Sequence, residues 1–190
     1  MYTIEGKCGS IYGRKKNNFF DIRLVLEIIK NIFPSKVNME IIKILQLTPG
    51  WYFGYDKDSE NNSLNMDEGL ALQTFNKDAN VLASQQALNM FAFIITSKIS
   101  DQLSLNFNKL QRVNYNFYHP LSKGKPHIDY DNNKFYTILY NLNTNDGYTK
   151  IEDDKYKSNE SEALVFNSNK IHFGCGPTKG LRYNLNIVFS

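Results

Sequence analysis

Histidines that could bind a metal ion are few in this chain, which contains only 3 in 190 residues. His127 is followed two positions later by Asp129, in the segment KPHIDYD, and His172 lies in a separate segment, NKIHFGCG. Residues i and i+2 of an extended strand point to the same face, so His127 and Asp129 would lie side by side. With His172 from a second strand they would form a two-histidine, one-carboxylate set, which binds Fe(II) and leaves coordination positions open.

An arginine in the last predicted strand strengthens this interpretation. A His-x-Asp triplet alone is weak evidence, since chance produces one in about one chain in six of this composition. Arg182 is one of only four arginines in the sequence, and it follows His172 on the polar face of that strand. A guanidinium is permanently charged and binds a carboxylate through two hydrogen bonds. The residues therefore predict a metal centre beside a site for a carboxylate-bearing ligand.

Two predicted strands alternate between apolar and polar side chains, and their polar faces would position these groups. The first places Arg112, Asn114, Asn116 and Tyr118 on its polar face, and the last does the same with Arg182, Asn184 and Asn186. Alternation by itself is more typical of a polar face turned to solvent. The metal motif favours the other interpretation, in which the apolar faces pack on helices and the polar faces line the mouth of a barrel.

The second half of the chain has the pattern of an all-β barrel or sandwich, with short strands separated by Gly, Pro, Asn and Asp. The predicted strands are 110–118, 134–143, 148–152, 162–166 and 181–189, with a further candidate strand around His172.

The first half of the sequence has a different pattern, which predicts helices and a few strands. One helix is predicted from a cap at Asp21 to Phe33, ended by Pro34, and a second from about Leu82 to Leu105. Strands are predicted around 40–47, 51–55 and 70–75. Without a linker or repeat, residues 1–190 are expected to form one domain, with 1–108 a helix-rich support region and 109–190 the barrel core.

Composition excludes several classes of protein. With 42% hydrophobic residues, 22% charged residues and a net charge of +3, the chain is neither an acidic disordered protein nor a strongly basic one that wraps nucleic acid. The longest apolar run, Met90 to Ile95, is too short to cross a bilayer, and the first residues do not form a signal peptide. We therefore expect no membrane partner and a cytoplasmic location, in which Cys8 and Cys175 stay free thiols.

The stretch from Asn116 to Phe189 resembles the Fe(II)/2-oxoglutarate-dependent dioxygenases. The matching segments are NFYHPLSKGKPHIDYD, YTILYNLNTNDGYT, ALVFNSNKIHFGCG and GLRYNLNIVF, in the family's order. The similarity is to prolyl 4-hydroxylase-like and phage-encoded members; a phage origin would place the protein in the host cytoplasm. It implies a mainly β fold with packed helices, namely a double-stranded β-helix, a jelly-roll or cupin-like barrel, supported by the N-terminal helical and β-strand region.

The resemblance also implies roles for the polar residues already named. His127, Asp129 and His172 would be the catalytic iron ligands, and Arg182 would bind the distal carboxylate of 2-oxoglutarate.

Three further residues match the family branch that repairs alkylated nucleic acids. Asn116 and Tyr118 correspond to an Asn-x-Tyr pair that contacts 2-oxoglutarate there, and Asn184 corresponds to an asparagine of its Arg-Tyr-Asn-Leu strand. That branch has a second arginine later on this strand, where this chain has Val188.

The activity implied by the resemblance is oxidative decarboxylation of 2-oxoglutarate coupled to hydroxylation of an unactivated C–H bond. The cofactors would be Fe(II), 2-oxoglutarate and dioxygen, with ascorbate as an accessory reductant. A protein or peptide side chain is the favoured substrate. The alternatives are a methylated base in nucleic acid and a non-catalytic barrel that binds a carboxylate. The sequence leaves the substrate and the oligomeric state open.

Overall fold

The computed structural model describes residues 26–53, 69–77, 85–105 and 107–190. Within these ranges it contains two helices and ten strands. In chain order they are β1 (Glu27–Ile29), α1 (Ser35–Leu47), β2 (Tyr52–Phe53), β3 (Leu70–Asn76), α2 (Gln86–Leu103), β4 (Leu110–Tyr118), β5 (Tyr136–Asn141), β6 (Asn145–Ile151), β7 (Asp154–Ser158), β8 (Ala163–Asn167), β9 (His172–Cys175) and β10 (Arg182–Phe189).

The strands form two antiparallel sheets. The major sheet has seven strands in the order β1-β8-β5-β10-β4-β3-β2, and the minor sheet has three in the order β7-β6-β9. Strand β10 lies at the centre of the major sheet, where it pairs with β4 on one side and β5 on the other. A small apolar cluster, in which Leu139 and Leu164 of the major sheet meet Ile151 of the minor sheet, joins the two layers.

The main hydrophobic core lies between the major sheet and the two helices. The sheet contributes three fully buried side chains to this core, Val113 and Tyr115 of β4 and Leu185 of β10. Helix α2 contributes Leu88 and Ile95. The hydroxyl of Tyr115 donates a 2.8 Å hydrogen bond to the carbonyl oxygen of Leu88, which fixes the helix against the sheet. The predicted packing of the apolar strand faces on helices is therefore confirmed, as is the mainly β fold class.

The predicted helix ending at Phe33 is wrong in its described part. Glu27–Ile29 is a strand that pairs with β8, and residues 21–25 lie outside the described residues. β1 lies at the edge of the major sheet, where the side chain of Ile28 is exposed and that of Ile29 is buried in the core. Pro34, expected to end a helix, is instead the N-cap residue of α1.

The strand predicted at 40–47 is also wrong, because this segment belongs to helix α1. Its isoleucine-rich sequence has the composition of a strand. The buried positions, however, are Asn38, Ile41 and Leu45, and this spacing of three and four residues is that of one helix face. Packing of that face on the core outweighs the β propensity of the individual side chains.

The other elements of the first half agree with the predictions where the structure describes them. Helix α2 lies within the predicted 82–105, and β3 covers the predicted 70–75. Strand β2 occupies part of the predicted 51–55, of which residues 54 and 55 lie outside the described ranges.

The strands predicted in the second half are all present, with ends shifted by up to three residues. Strand β7 was missed because its sequence, DKYKS, is polar, and it is stabilised by pairing with β6. Strands β1 to β3 belong to the same sheet as β4, β5, β8 and β10, so the division at 108/109 runs between the hydrogen-bonded neighbours β3 and β4. That division stays a prediction. Neither helix in the described ranges has the length and apolar character needed to span a membrane.

Replacing Leu185 by alanine should strongly destabilise the protein. Its side chain is fully buried at the centre of the major sheet, and a Leu→Ala change in a core costs about 2–5 kcal/mol. Leu181→Ala is the matched control, because Leu181 is 38% exposed and should lose less than about 0.5 kcal/mol. Chemical denaturation measures both values. Equal losses in the two variants would contradict the packing described above.

Candidate metal centre

The backbone brings the two segments of the metal motif together. His127 and His172 form an antiparallel bridge, with N–H to carbonyl distances of 3.0 Å and 2.9 Å in the two directions. The N–H of Asp129 donates to the carbonyl oxygen of Ser168 at 3.0 Å, which continues this pairing. The segment carrying His127 and Asp129 therefore runs beside the start of β9, which carries His172.

The three side chains converge on one point. One candidate ligand atom from each of His127, Asp129 and His172 lies within 4.8 Å of the other two. The Nε2 atom of His172 is 3.5 Å from Oδ2 of Asp129, and the Nε2 atom of His127 is 3.9 Å from Oδ1. The imidazole rings are 4.5 Å apart between their centroids. In the part of the chain that the structure describes, this is the one such group of histidine, cysteine or acidic side chains.

Both imidazoles turn the same nitrogen towards this point. The Nδ1 atoms of His127 and His172 lie 2.8 Å and 2.9 Å from the carbonyl oxygens of Lys125 and Lys170. A carbonyl oxygen only accepts, so each Nδ1 carries a hydrogen, and in the neutral form of such a ring the lone pair lies on Nε2. The Nε2 of His172 is buried and makes no hydrogen bond, an uncommon state for a polar atom.

Asp129 is the most enclosed of the three candidate ligands, with a side chain that has no exposed surface. Its Oδ1 accepts a hydrogen bond from Nη2 of Arg112. Its Oδ2 accepts from Thr137 Oγ1 at 2.7 Å and from Asn186 Nδ2 at 3.2 Å. Burial alone would raise the pKa of Asp129, but Arg112, the two imidazoles and Thr137 together lower the pKa below its usual value. The carboxylate therefore stays ionised.

The imidazole of His172 is kept neutral. Its side chain is only 3% exposed, and this burial lowers the pKa of His172 from its usual value, against the opposing effect of the nearby Asp129 carboxylate. A neutral imidazole and an ionised carboxylate are the protonation states that bind a metal. The donor set and the unpaired Nε2 therefore fit a divalent ion such as Fe(II) with coordination positions left open.

Arg182 is a buried cation without a carboxylate partner among the described residues. It is 1% exposed and donates to the carbonyl oxygens of Tyr148 at 2.5 Å and Cys175 at 3.0 Å, and to Thr149 Oγ1 at 2.7 Å. Burial lowers the pKa of Arg182 to about 10, so it stays charged at neutral pH. Its Nε makes no hydrogen bond. A buried positive charge with neutral neighbours is a strong site for an incoming anion.

A cavity of about 300 Å³ lies beside these groups. Its walls include the polar faces of β4 (Arg112, Asn114, Asn116, Tyr118) and β10 (Asn184, Asn186), the two metal-site histidines, Thr149 and Gly174 of the minor sheet, and Tyr52, Ala71, Lys125, Pro126, Ile128 and Leu139. Thr149 and Tyr118, which contact Arg182, both lie on this wall. The interpretation that the polar strand faces line an internal site is therefore correct.

Three of the four predicted cosubstrate residues, Asn116, Tyr118 and Asn184, line this cavity, and Arg182 adjoins it. Asn116 and Asn184 face each other across β4 and β10, and the Nδ2 of Asn116 donates to Oδ1 of Asn184 at 2.9 Å. The ring of Tyr118 lies over the Arg182 guanidinium, 5.4 Å from Cζ to the ring centroid. Their roles towards 2-oxoglutarate stay predictions.

Three residues that contact Asp129 were not given a role from the sequence, namely Arg112, Thr137 and Asn186. Arg112 and Asn186 stood on the predicted polar faces, and the rarity of arginine in this chain was a usable signal for Arg112. Arg112 pairs with Val188 across β4 and β10. Cross-strand partners share a face of the sheet, so the Arg112 guanidinium lies on the same face as Val188.

Two glycines define the position of the Tyr118 ring. A Cβ atom added at Gly174 would lie 2.6 Å from the Tyr118 hydroxyl and from Cζ, and one added at Gly69 would lie 2.8 Å from Cε1. These separations are too short for any side chain, so the ring is held between two backbone segments. The strand β9 therefore needs glycine at 174 for Tyr118 to cover Arg182.

Comparison with known proteins identifies the fold. No family model and no curated sequence matches the chain. A prolyl hydroxylase of Trichoplax adhaerens, solved with a hypoxia inducible factor peptide fragment, has a TM-score of 0.61 and 18% identity over 86% of this chain and 82% of its own. A 2OG-Fe(II) oxygenase of Burkholderia pseudomallei has a TM-score of 0.63 and 12% identity over 88% of this chain and 85% of its own. HygX from Streptomyces hygroscopicus, solved with nickel and 2-oxoglutarate bound, has a TM-score of 0.59 and 10% identity over 87% of this chain and 82% of its own.

These similarities show the architecture of the chain. It has the fold of the 2-oxoglutarate/Fe(II) oxygenases, the double-stranded β-helix that the sequence segments implied.

Replacing His172 by alanine should abolish tight binding of a divalent metal. Loss of a group that merely orients a ligand costs about 10–100-fold in metal affinity, so loss of a ligand should cost at least as much. His119→Ala is the matched control, because the His119 ring contacts the Pro120 carbonyl and lies outside the metal cluster. Titration with Co(II) or Fe(II) gives the affinities. Similar values in the two variants would contradict the assignment.

Gly174→Ala should displace Tyr118 and destabilise the protein by about 1–3 kcal/mol, the usual cost of overpacking. Shortening the side chain in the double variant Gly174→Ala/Tyr118→Leu removes the collision. The two changes should therefore cost less together than the sum of their separate costs, which denaturation of the four proteins measures. Additive costs would place the strain elsewhere.

Proposed function

We propose that this protein is an Fe(II)- and 2-oxoglutarate-dependent dioxygenase that hydroxylates an unactivated C–H bond of a protein or peptide side chain. The observation that carries the proposal is the convergence of His127, Asp129 and His172 beside a cavity whose wall includes both histidines. The buried, carboxylate-free Arg182 adjoins the same cavity through Tyr118 and Thr149.

The side chains at the metal centre would hold the ion and keep it reactive. The Nε2 atoms of His127 and His172 and the carboxylate of Asp129 would be the three protein ligands. The hydrogen bonds that each Nδ1 donates and that Asp129 accepts fix their orientation. With dioxygen, bound Fe(II) and 2-oxoglutarate would supply the oxidising power, as the cosubstrate is converted to succinate and carbon dioxide. A general base from the protein is not required for this chemistry.

The cosubstrate would lie between the metal and Arg182. The guanidinium of Arg182 would pair with the distal carboxylate, with Thr149 and the Tyr118 ring beside it. Asn116 and Asn184 line the same cavity and add carboxamide hydrogen-bonding groups. Because Arg182 is almost fully buried, its pairing with a carboxylate would be little screened by water.

A peptide substrate is supported by the surroundings of the metal. His127 is 45% exposed and Ile128 is 40% exposed, so the metal side of the cavity is accessible from the surface. Asn114 and Tyr52 extend the wall across β4 to β2, at the edge of the major sheet. Carboxamides donate and accept hydrogen bonds and thus suit a peptide backbone. The Trichoplax enzyme of the same fold was solved with a peptide.

Demethylation of nucleic acid is the second candidate, and Arg112 is the observation that favours it. Arg112 places a guanidinium beside Asp129 and opposite Val188, the position at which the repair branch has its second arginine. A flipped base would also need aromatic side chains to stack on. The described cavity wall has two tyrosines, and one of them, Tyr118, is held between glycines over Arg182.

The purified protein should convert 2-oxoglutarate to succinate when Fe(II) and oxygen are present. Without oxygen, Fe(II) and 2-oxoglutarate should give a weak visible charge-transfer band. His127→Ala and Asp129→Ala should lose both signals, because each removes a metal ligand. Absorption spectroscopy and succinate quantification measure them.

His119→Ala serves as the control and should keep both signals, since His119 is outside the cluster. If the ligand variants retain both signals, the metal assignment is wrong. If the wild type binds 2-oxoglutarate without forming succinate, the chain is the non-catalytic carboxylate-binding barrel. A mass increase of 16 in peptides, set against loss of methyl groups from oligonucleotides, distinguishes the two substrate classes.

A further inference from the structure

The charges around the cavity are unbalanced. Arg112 and Lys125 lie on its wall, and Arg182 adjoins it. Among the described residues, the wall itself has no acidic side chain, and the buried Asp129 beneath it is the one carboxylate in contact with these cations. Three positive groups therefore face a single negative one.

Lys125 has no ion-pair partner in the described part of the chain. Its carbonyl oxygen accepts the hydrogen bond from His127 Nδ1, which places its backbone next to a metal ligand. Lys125 thus belongs to the part of the cavity wall that adjoins the metal ligand His127.

Arg112 is only partly satisfied. Its side chain is 23% exposed, and Nη2 contacts Asp129 Oδ1 and, at 3.4 Å, Asn186 Oδ1. Its Nε is buried and has no hydrogen-bond partner. The guanidinium of Arg112, which lines the cavity, therefore has donor capacity left.

Loading the site would leave these two cations without a counter-charge. On the proposed function, the distal carboxylate of 2-oxoglutarate neutralises Arg182. The two charges of Fe(II) are neutralised by Asp129 and the other carboxylate of 2-oxoglutarate. Arg112 then shares its carboxylate with the metal, and Lys125 has none. In a partly buried site, two uncompensated positive charges attract an anion.

We infer that the protein acts on an acidic peptide, whose carboxylate side chain pairs with Arg112 and Lys125 while the neighbouring C–H bond faces the metal. This inference rests on the proposed function and specifies its substrate class. It assigns Arg112 a second role besides its contact with Asp129. It also explains why a lysine stands at the accessible side of the cavity.

Peptide binding tests the inference directly. Three fluorescent peptide pools share a randomised central residue and differ only in the flanking residues, which are glutamate, glutamine or lysine. Anisotropy is measured with Ni(II) and 2-oxoglutarate under nitrogen, and again with the metal-free protein. The glutamate pool should bind about fivefold more tightly than the glutamine pool, and less tightly as salt is added. Metal loading should increase this preference, because Asp129 then pairs with the ion.

Variants of Lys125 test the site of recognition. Lys125→Gln should weaken binding of the glutamate pool about fivefold, and Lys125→Glu should favour the lysine pool instead. The matched control is Lys157→Glu, which changes the net charge equally at an exposed position of β7 that is not on the cavity wall. It should leave the preference unchanged.

Arg112→Gln is interpreted beside its own metal titration, because Arg112 also contacts Asp129. A variant that still binds metal should lose part of the preference for the glutamate pool.

Equal binding of the three pools overturns the inference, and so does tight binding of a single-stranded oligonucleotide with none of the peptides. Loss of preference in Lys157→Glu as well as in Lys125→Glu would assign it to the overall charge of the protein and would also overturn it. Failure of the proposed function gives a different result, since a protein that forms no succinate can still be measured for peptide binding without metal.

Discussion

A fully buried carboxylate, Asp129, is the group on which the arrangement of the site depends. Removing a carboxylate from water is costly unless hydrogen bonds and opposite charges compensate for it. Here Arg112, Thr137 and Asn186 donate to it, and two imidazoles lie beside it. These donors come from β4, β5 and β10, three neighbouring strands of the major sheet. Stabilising one charge therefore requires these strands in their observed register.

The second buried charge, that of Arg182, is stabilised only by neutral groups among the described residues. Its described partners are carbonyl oxygens and a hydroxyl, which stabilise a cation without neutralising it. The first residue of β10 thus keeps a charge available beside the cavity, while Asn186, later on the same strand, contacts Asp129. One central strand therefore carries both Arg182 and a residue that stabilises Asp129. The helices that pack on this strand bury its apolar face and keep it in place.

The comparison between prediction and structure separates short-range from long-range information. The strands of the second half were predictable because turn residues bound them and their side chains alternate. The segments 27–29 and 40–47 were misassigned because periodicity over a few residues is ambiguous, and their state is decided by pairing with β8 and by packing on the core. The contact of Arg112 with Asp129 was out of reach, because Asp129 is 17 residues away on a segment outside the sheets.

The amino-acid sequence alone determined which chemical groups are present and which faces of the strands they share. The spacing of His127 and Asp129 and the alternation in β4 and β10 are local features, because the strand period of two decides which side chains share a face. The rarity of arginine is a property of the composition. Only the tertiary structure decided which of these groups meet. The bridge between His127 and His172, the buried environment of Asp129 and the glycine-held Tyr118 ring over Arg182 depend on strand pairing and on packing between sheets. Such contacts join residues far apart in the chain, and local propensity carries no information about them.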